Sequence, residues 1–130
     1  EPRARASARA VSDYFGRALP LHAQDEDLSI APHLAVALGD VLSALAEQHA
    51  RIDALTEALL PAWERIARGA PPETPSERAQ HRALVAALGA LLARHLDVEE
   101  RALFPAIAEL EARAREAIAA EMRARRASGA

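Results

Sequence analysis

The chain has 130 residues, a formal net charge of −3, no cysteine, and only two Phe, one Trp and one Tyr. A chain of this length suits a single domain with one core. The lack of cysteine excludes disulfides, thiolate catalysis, iron–sulfur clusters and cysteine-ligated zinc, and the interspersed acids and arginines do not indicate a nucleic-acid-binding face.

The apolar periodicity, together with the positions of Gly and Pro, predicts four helices in an all-α fold. The first runs from about Arg3 to Ser29, with a continuation that Pro32 kinks and Gly39 ends. The second runs from Val41 to Arg68, and the glycine after it stops the helix. We therefore expect the chain to turn back on itself near Gly39.

The second half of the chain supplies the other two predicted helices. A linker covers Ala70–Glu73, and Thr74–Pro75–Ser76–Glu77 has the pattern of a capping box that starts the third helix. Pro105 is expected to kink or end that helix, and the fourth fills Ala106 to about Ala127. Four antiparallel helices with short connections predict an up-and-down four-helix bundle, with residues 1–130 as a single domain.

Three of the five histidines are followed four residues later by a carboxylate. On a helix this spacing stacks both side chains on one face, so that both can bind the same ion or adjacent ions. A single such pair would usually be a solvated pair worth a few tenths of a kcal/mol, so the repetition is what points to a metal site. The pairs are His22 with Glu26, His49 with Asp53, and His95 with Glu99.

The axial positions of these pairs are compatible with one site. If the chain turns near Gly39, Glu26 and Asp53 lie at similar heights, and His95 falls within about 8 Å of that level at a rise of about 1.5 Å per residue. Unpaired carboxylates would be costly to bury there, and a bound cation would remove that cost. Imidazole and carboxylate without thiolate suit iron or manganese, and zinc is a chemical alternative.

Two segments resemble a known family. The run His95–Pro105 resembles the His-x-x-x-Glu-Glu-x-x-Leu-Phe-Pro signature of hemerythrin-like (HHE) cation-binding domains. The run His22–Pro32 resembles a degenerate second copy, and Glu47–Asp53 resembles the intervening helix of the family, which usually supplies one histidine.

The resemblance implies a non-haem centre of two iron ions. His22, His49 and His95 would be terminal nitrogen ligands, and Glu26 and Glu99 would be bridging carboxylates. Asp53 would either coordinate or orient a ligand. Members of the family normally begin with an earlier helix that carries another histidine, and nothing before His22 matches it. Either that helix lies ahead of Glu1 or the site is altered, in which case Glu121 on the last helix is a conceivable substitute.

The functional hypothesis is a diiron module that binds or senses dioxygen, another small diatomic ligand, or iron. One alternative is a diiron enzyme acting on peroxide, dioxygen or nitric oxide, and another is a metal-free helical scaffold. The sequence predicts a cytoplasmic protein without membrane partners. No apolar run approaches the length of about 20 residues that spans a bilayer, and no signal-peptide pattern opens the chain. The remaining histidines, His33 and His81, are expected to be exposed or structural.

Overall fold

A computed structural model describes residues 1–72 and 74–128, and every regular element in these ranges is helical. This confirms the predicted all-α class; the four-helix bundle arrangement stays a prediction. Glu73, the end of the predicted linker, lies outside the described residues. In chain order the elements are α1 (Pro2–Asp13), the π-helical turn π1 (Tyr14–Ala18), α2 (Leu19–Gln24), π2 (Asp25–Ile30), α3 (Ala31–Ala67), α4 (Pro75–Val98), π3 (Glu99–Leu103), α5 (Phe104–Ala108) and α6 (Ala112–Ser128).

The helix boundaries near the middle of the chain follow the sequence signals. Thr74 and Glu77 form a reciprocal capping box, since each backbone N–H donates to the side chain of the other at 3.1 Å. Gly69 adopts a φ of 89°, a conformation that glycine tolerates, just after α3 ends. The predicted corner near Gly39 is a kink at Leu38, whose φ of −127° is not helical.

Each π-helical turn ends two residues before a proline. The turns end at Ala18, Ile30 and Leu103, and the prolines are Pro20, Pro32 and Pro105. A proline inside a helix cannot donate the usual hydrogen bond and clashes with the carbonyl four residues earlier. A wider turn before the ring accommodates this clash, so the helix continues through the proline.

The fourth helix begins later than predicted. The sequence placed its start at Ala106, but α5 continues past Pro105 to Ala108, and α6 begins at Ala112. The prediction was wrong because π3 absorbs the proline, so the chain turns at the three residues that follow α5 instead.

The chain divides into two compact units. The first comprises residues 1–20 and 50–93, and its buried apolar residues are Ile52, Leu59, Trp63, Leu88 and Leu91. The second comprises residues 21–49 and the chain from residue 94 onward, and its buried apolar residues are Ile30, Leu34, Leu45, Leu103 and Ile118. The two histidine–glutamate pairs of the HHE-like segments both belong to the second unit.

One stretch of the long N-terminal helical region is more hydrophobic than the sequence analysis predicted. Within the helical region Pro2–Ala67, a window of 18 residues reaches a mean hydropathy of 1.6, long and apolar enough to cross a bilayer by length and composition alone. The prediction that no apolar run approaches the length needed to span a bilayer was therefore wrong. A core helix of a soluble protein passes the same test, so the predicted cytoplasmic location stays a prediction.

Candidate metal centre

Four titratable side chains meet inside the second unit. Glu26, His49, His95 and Glu99 are all buried, with relative exposures of 2%, 6%, 3% and 1%. Each offers one nitrogen or oxygen atom, and these atoms all lie within 4.8 Å of one another. The imidazole rings of His49 and His95 are themselves 4.7 Å apart between centroids. The three helical stretches that carry these residues therefore bring two imidazoles and two carboxylates to one place.

His22 joins this group from its solvent side. Its Nε2 lies 3.1 Å from Oε1 of Glu26 and 3.8 Å from Oε1 of Glu99. The His22 side chain is 45% exposed, whereas both glutamates are buried. It is thus the one imidazole of the group that solvent reaches.

Both glutamates of the candidate site lie in π-helical turns. Glu26 is the second residue of π2, and Glu99 is the first residue of π3. Glu99 is buried while its neighbour Glu100 is exposed, as their angular separation on a helix predicts. π-helical turns of this kind frequently occur at functional sites.

Two further side chains orient the buried imidazoles. Nδ1 of His95 lies 2.8 Å from Oε1 of Gln48, and Nδ1 of His49 lies 3.2 Å from Oδ1 of Asp27. An amide oxygen only accepts, so the Nδ1 atom of His95 donates to Gln48, and its Nε2 is the nitrogen that faces Glu99. Partners of this kind fix the ring orientation and tautomer of histidines that bind metals.

Neither Gln48 nor Asp27 was predicted from the sequence. Asp27 is one of three acids within Asp25–Asp27, and Gln48 directly precedes a predicted ligand, so their spacing carried no distinctive signal. Their role depends on contacts between residues 22 or 47 positions apart, which helical periodicity does not report.

Five of the six predicted ligands come together, and Asp53 does not join them. Asp53 is exposed, and it belongs to the first unit. The two ring nitrogens of His49 face Glu26 and Asp27, so Asp27 holds the position next to His49 that the four-residue spacing suggested for Asp53. Glu121, the conceivable substitute ligand, is also exposed.

The buried candidate ligand atoms lie close together, yet several of them lack a hydrogen-bond partner. Nε2 of His49 is 2.9 Å from Oε2 of Glu26, and Nε2 of His95 is 2.8 Å from Oε1 of Glu99. Despite these distances, both oxygens of Glu26, Nε2 of His49 and Oε1 of Glu99 have no hydrogen-bond partner among the described residues. Buried polar atoms are normally satisfied, so these orphaned atoms fit a cation held between them.

The electrostatics of the cation-free group are those of closely paired ions. The nearby carboxylates of Glu26 and Glu99 raise the pKa of His22 to about 10, although burial opposes the shift. Burial would raise the pKa of Glu99, but His22 and His95 hold it below its ordinary value. Burial would likewise lower the pKa of His49, but Glu26 and Asp27 raise it. A cation would compete with these protons for the same lone pairs.

Comparison with known proteins agrees with this geometry. The sequence model of the hemerythrin HHE cation-binding domain matches residues 1–107 and, in a second alignment, residues 40–127. The chain belongs to this family. No curated protein and no solved structure matches it. Family membership and the buried histidine–glutamate group together support cation binding by this HHE domain.

The family signature has a structural explanation in this HHE domain. His95 and Glu99 face the candidate site, while Leu103, at 0% exposure, packs in the apolar core of the second unit. Phe104 is 44% exposed and is not part of this buried core. Pro105 closes the pattern by following π3, the turn that begins at Glu99. The signature thus combines candidate ligands, a core residue and a proline that follows a π-helical turn.

Proposed function

We propose that the chain is a non-haem diiron protein that binds or senses dioxygen, a related diatomic ligand, or iron. The observation that carries this proposal is the set of buried, unsatisfied oxygen and nitrogen atoms on Glu26, His49 and Glu99. Imidazole and carboxylate ligands suit iron better than they suit a metal that prefers thiolate ligands. Manganese and zinc are the chemical alternatives.

The way Glu26 divides its oxygens supports a pair of ions. Oε1 faces His22 at 3.1 Å, whereas Oε2 faces His49 at 2.9 Å. A carboxylate that bridges two cations offers one oxygen to each, as in the carboxylate-bridged centres of other helical bundles. Oε1 of Glu99 lies near both His95 and His22, at 2.8 and 3.8 Å, so this carboxylate also faces both sides.

The surroundings of the site suit a small ligand. His22 is half exposed and lies on the side of Glu26 Oε1, whereas His49 and His95 are buried, which gives the group one side open to solvent. Bound ferrous iron would supply the affinity for dioxygen. Gln48 and Asp27 would hold the imidazoles in place. Leu45 and Leu103 belong to the buried apolar core of the same unit.

Metal analysis of the purified protein tests the proposal. After preparation under reducing, iron-replete conditions, we expect iron to be retained with a stoichiometry near two per chain. His95→Ala and Glu99→Ala should lower the iron content strongly, while His33→Ala, at an exposed position outside the site, should not. Retention of no iron would instead favour the metal-free scaffold, and equal losses in all three variants would contradict the assignment.

The reaction of the iron-loaded protein with air separates binding from catalysis. A stable oxygenated spectrum that reverses under argon supports binding or sensing. Rapid oxidation with sustained turnover of added peroxide supports the enzyme alternative, because the same ligand set can activate oxygen as well as hold it.

A further inference from the structure

A buried carboxylate lies directly beside the proposed ligand Glu26. Asp25 is 1% exposed and accepts hydrogen bonds from two arginines of α6. Nη1 of Arg125 is 2.5 Å from Oδ1 of Asp25, and Arg126 contacts Oδ1 and Oδ2 at 3.0 and 2.7 Å. A cluster of one buried acid and two cations therefore joins α6 to π2.

Arg125 contacts both ends of π2. Its Nη1 binds Asp25, the first residue of the turn, while its Nη2 donates to Oγ of Ser29, the fifth residue, at 2.8 Å. Ser29 is buried at 1% exposure. The planar guanidinium presents these donors in a fixed geometry, so a single side chain constrains the turn that contains Glu26.

The apolar packing of α6 places the arginines at this level. Ile118 and Met122 pack against the core that contains Ile30 and Leu34, on the same face of α6 as Arg125. The backbone of α6 also lies against π2. If α6 left its position, Asp25 and Ser29 would lose their hydrogen bonds to Arg125 and Arg126, and π2 would lose these constraints.

The other glutamate-bearing turn lacks an equivalent contact among the described residues. The ion pair around π3 is Arg101 with Asp97 at 2.8 Å, and both side chains are exposed. Exposed pairs four residues apart contribute little. Arg101 therefore offers a matched control: an arginine beside a proposed ligand whose ion pair does not cross to another helix.

We propose that Arg125 and Arg126 are positioning residues that hold π2 through Asp25 and Ser29, orient Glu26 in the cation site, and thereby couple docking of α6 to cation binding. This coupling rests on the proposed function, since it requires that Glu26 bind a cation. It is reciprocal: if α6 docking tightens cation binding, a bound cation stabilises α6 by the same free energy.

Cobalt(II) titration of the full chain, with a chromophoric chelator as competitor, tests the first half of the coupling. We expect the Arg125→Ala/Arg126→Ala double variant and Asp25→Asn to weaken cobalt binding by about tenfold to a hundredfold, as for other residues that orient ligands. Both should also change the visible absorption spectrum of bound cobalt, which reports the geometry of its ligands. Arg123→Ala, an exposed α6 arginine, and Arg101→Ala should leave both unchanged.

A conservative variant separates positioning from loss of folding. Arg125→Lys keeps the charge beside Asp25 but has one nitrogen instead of the two that reach Asp25 and Ser29. We expect helical circular dichroism like that of the wild type, with an altered cobalt spectrum and an affinity between those of the wild type and the double variant. An unchanged spectrum and affinity in Arg125→Lys, Asp25→Asn and the double variant would overturn the coupling.

Hydrogen exchange tests the second half. Added cobalt should slow amide exchange across α6 in the wild-type chain, and this protection should be lost in Asp25→Asn. Equal protection of α6 with and without cobalt in the wild type would overturn the coupling even if cobalt binds. A wild-type chain that binds no cobalt, iron, manganese or zinc would overturn the proposed function itself, and the coupling with it.

Discussion

Glu26 places its two carboxylate oxygens on different imidazoles, with Oε1 3.1 Å from Nε2 of His22 and Oε2 2.9 Å from Nε2 of His49. Both oxygens are buried without a hydrogen-bond partner among the described residues. The proposed site depends on this division, because an acid that served one imidazole alone would not link two cations.

Replacement of Glu26 tests this division. Glu26→Gln keeps the shape of the side chain but replaces one negatively charged oxygen with an amide that donates hydrogen bonds. We expect the iron content to fall from near two ions per chain to one or none, as measured by elemental analysis after desalting. Glu100→Gln removes an exposed acid next to Glu99 and should retain the wild-type iron content. Undiminished iron in Glu26→Gln would contradict a bridging role.

The residues behind the imidazoles give a second prediction. Gln48→Ala and Asp27→Asn should each weaken cation binding by about tenfold to a hundredfold, because His95 and His49 lose the groups that orient their rings. Asp53→Asn should have no measurable effect, since Asp53 is exposed. The affinities can be compared by competition with a chelator. A larger effect for Asp53→Asn than for Asp27→Asn would favour the pairing that the sequence alone suggested.

The contrast between Asp27 and Asp53 shows what sequence could predict. The four-residue spacing correctly grouped His22 with Glu26 and His95 with Glu99, because one helical turn fixes those neighbours. Partners from other segments depend on how helices pack, so Asp27 and Gln48 were missed for lack of any local signal. The family resemblance, confirmed by comparison, supplied what periodicity could not: that these pairs belong to a cation-binding domain.

The prolines explain the remaining differences. Sequence predicted a continuing helix kinked at Pro32 and a kink or an end at Pro105, and in the structure a π-helical turn precedes each proline and the helix continues through it. Proline chemistry indicates local disruption but does not choose between a break and a π-helical turn. The contact between Asp25 and Arg125 could not be predicted from helical periodicity, because it joins residues 100 positions apart.

The pH dependence of cation binding follows from His22. In the cation-free protein its pKa is raised from 6.5 to about 10, chiefly by the nearby carboxylate of Glu26, so the imidazole is protonated at neutral pH. A cation must displace that proton, and binding therefore tightens as pH rises toward about 10. Cobalt affinity measured between about pH 6 and 8 should rise by up to about tenfold per pH unit from this proton. His22→Ala should show a shallower dependence, and an equal slope would contradict this assignment.

The stability of the cation-free protein should change with pH in the opposite direction. Because the folded-state pKa of His22 lies above its unfolded value, its contribution to stability is fully present below pH 6.5 and is lost as pH rises toward about 10. Urea unfolding of chelator-treated protein at several pH values measures this. His22→Ala should lose less stability than the wild type across that window, and a wild-type chain that instead gained stability there would contradict the assigned shift.

The apolar core of the unit that contains the candidate site should be required for stability. Leu103 is fully buried in the same unit as the candidate site, so Leu103→Ala should lower the free energy of unfolding by about 2–5 kcal/mol through lost burial and the cavity left behind. Leu96→Ala, at a position that is 49% exposed on α4, should cost far less. Urea denaturation of both variants without cation provides the comparison. Similar costs would indicate that Leu103 is not a core residue.

The location of bound iron tests the central claim most directly. A crystal structure of the iron-loaded chain, with anomalous diffraction recorded on both sides of the iron absorption edge, would place the metal without assumptions about ligands. The account predicts two iron peaks enclosed by Glu26, Glu99 and the imidazoles of His22, His49 and His95. Iron bound only to exposed acids, or no iron peak within this group in a crystal of the loaded protein, would contradict it.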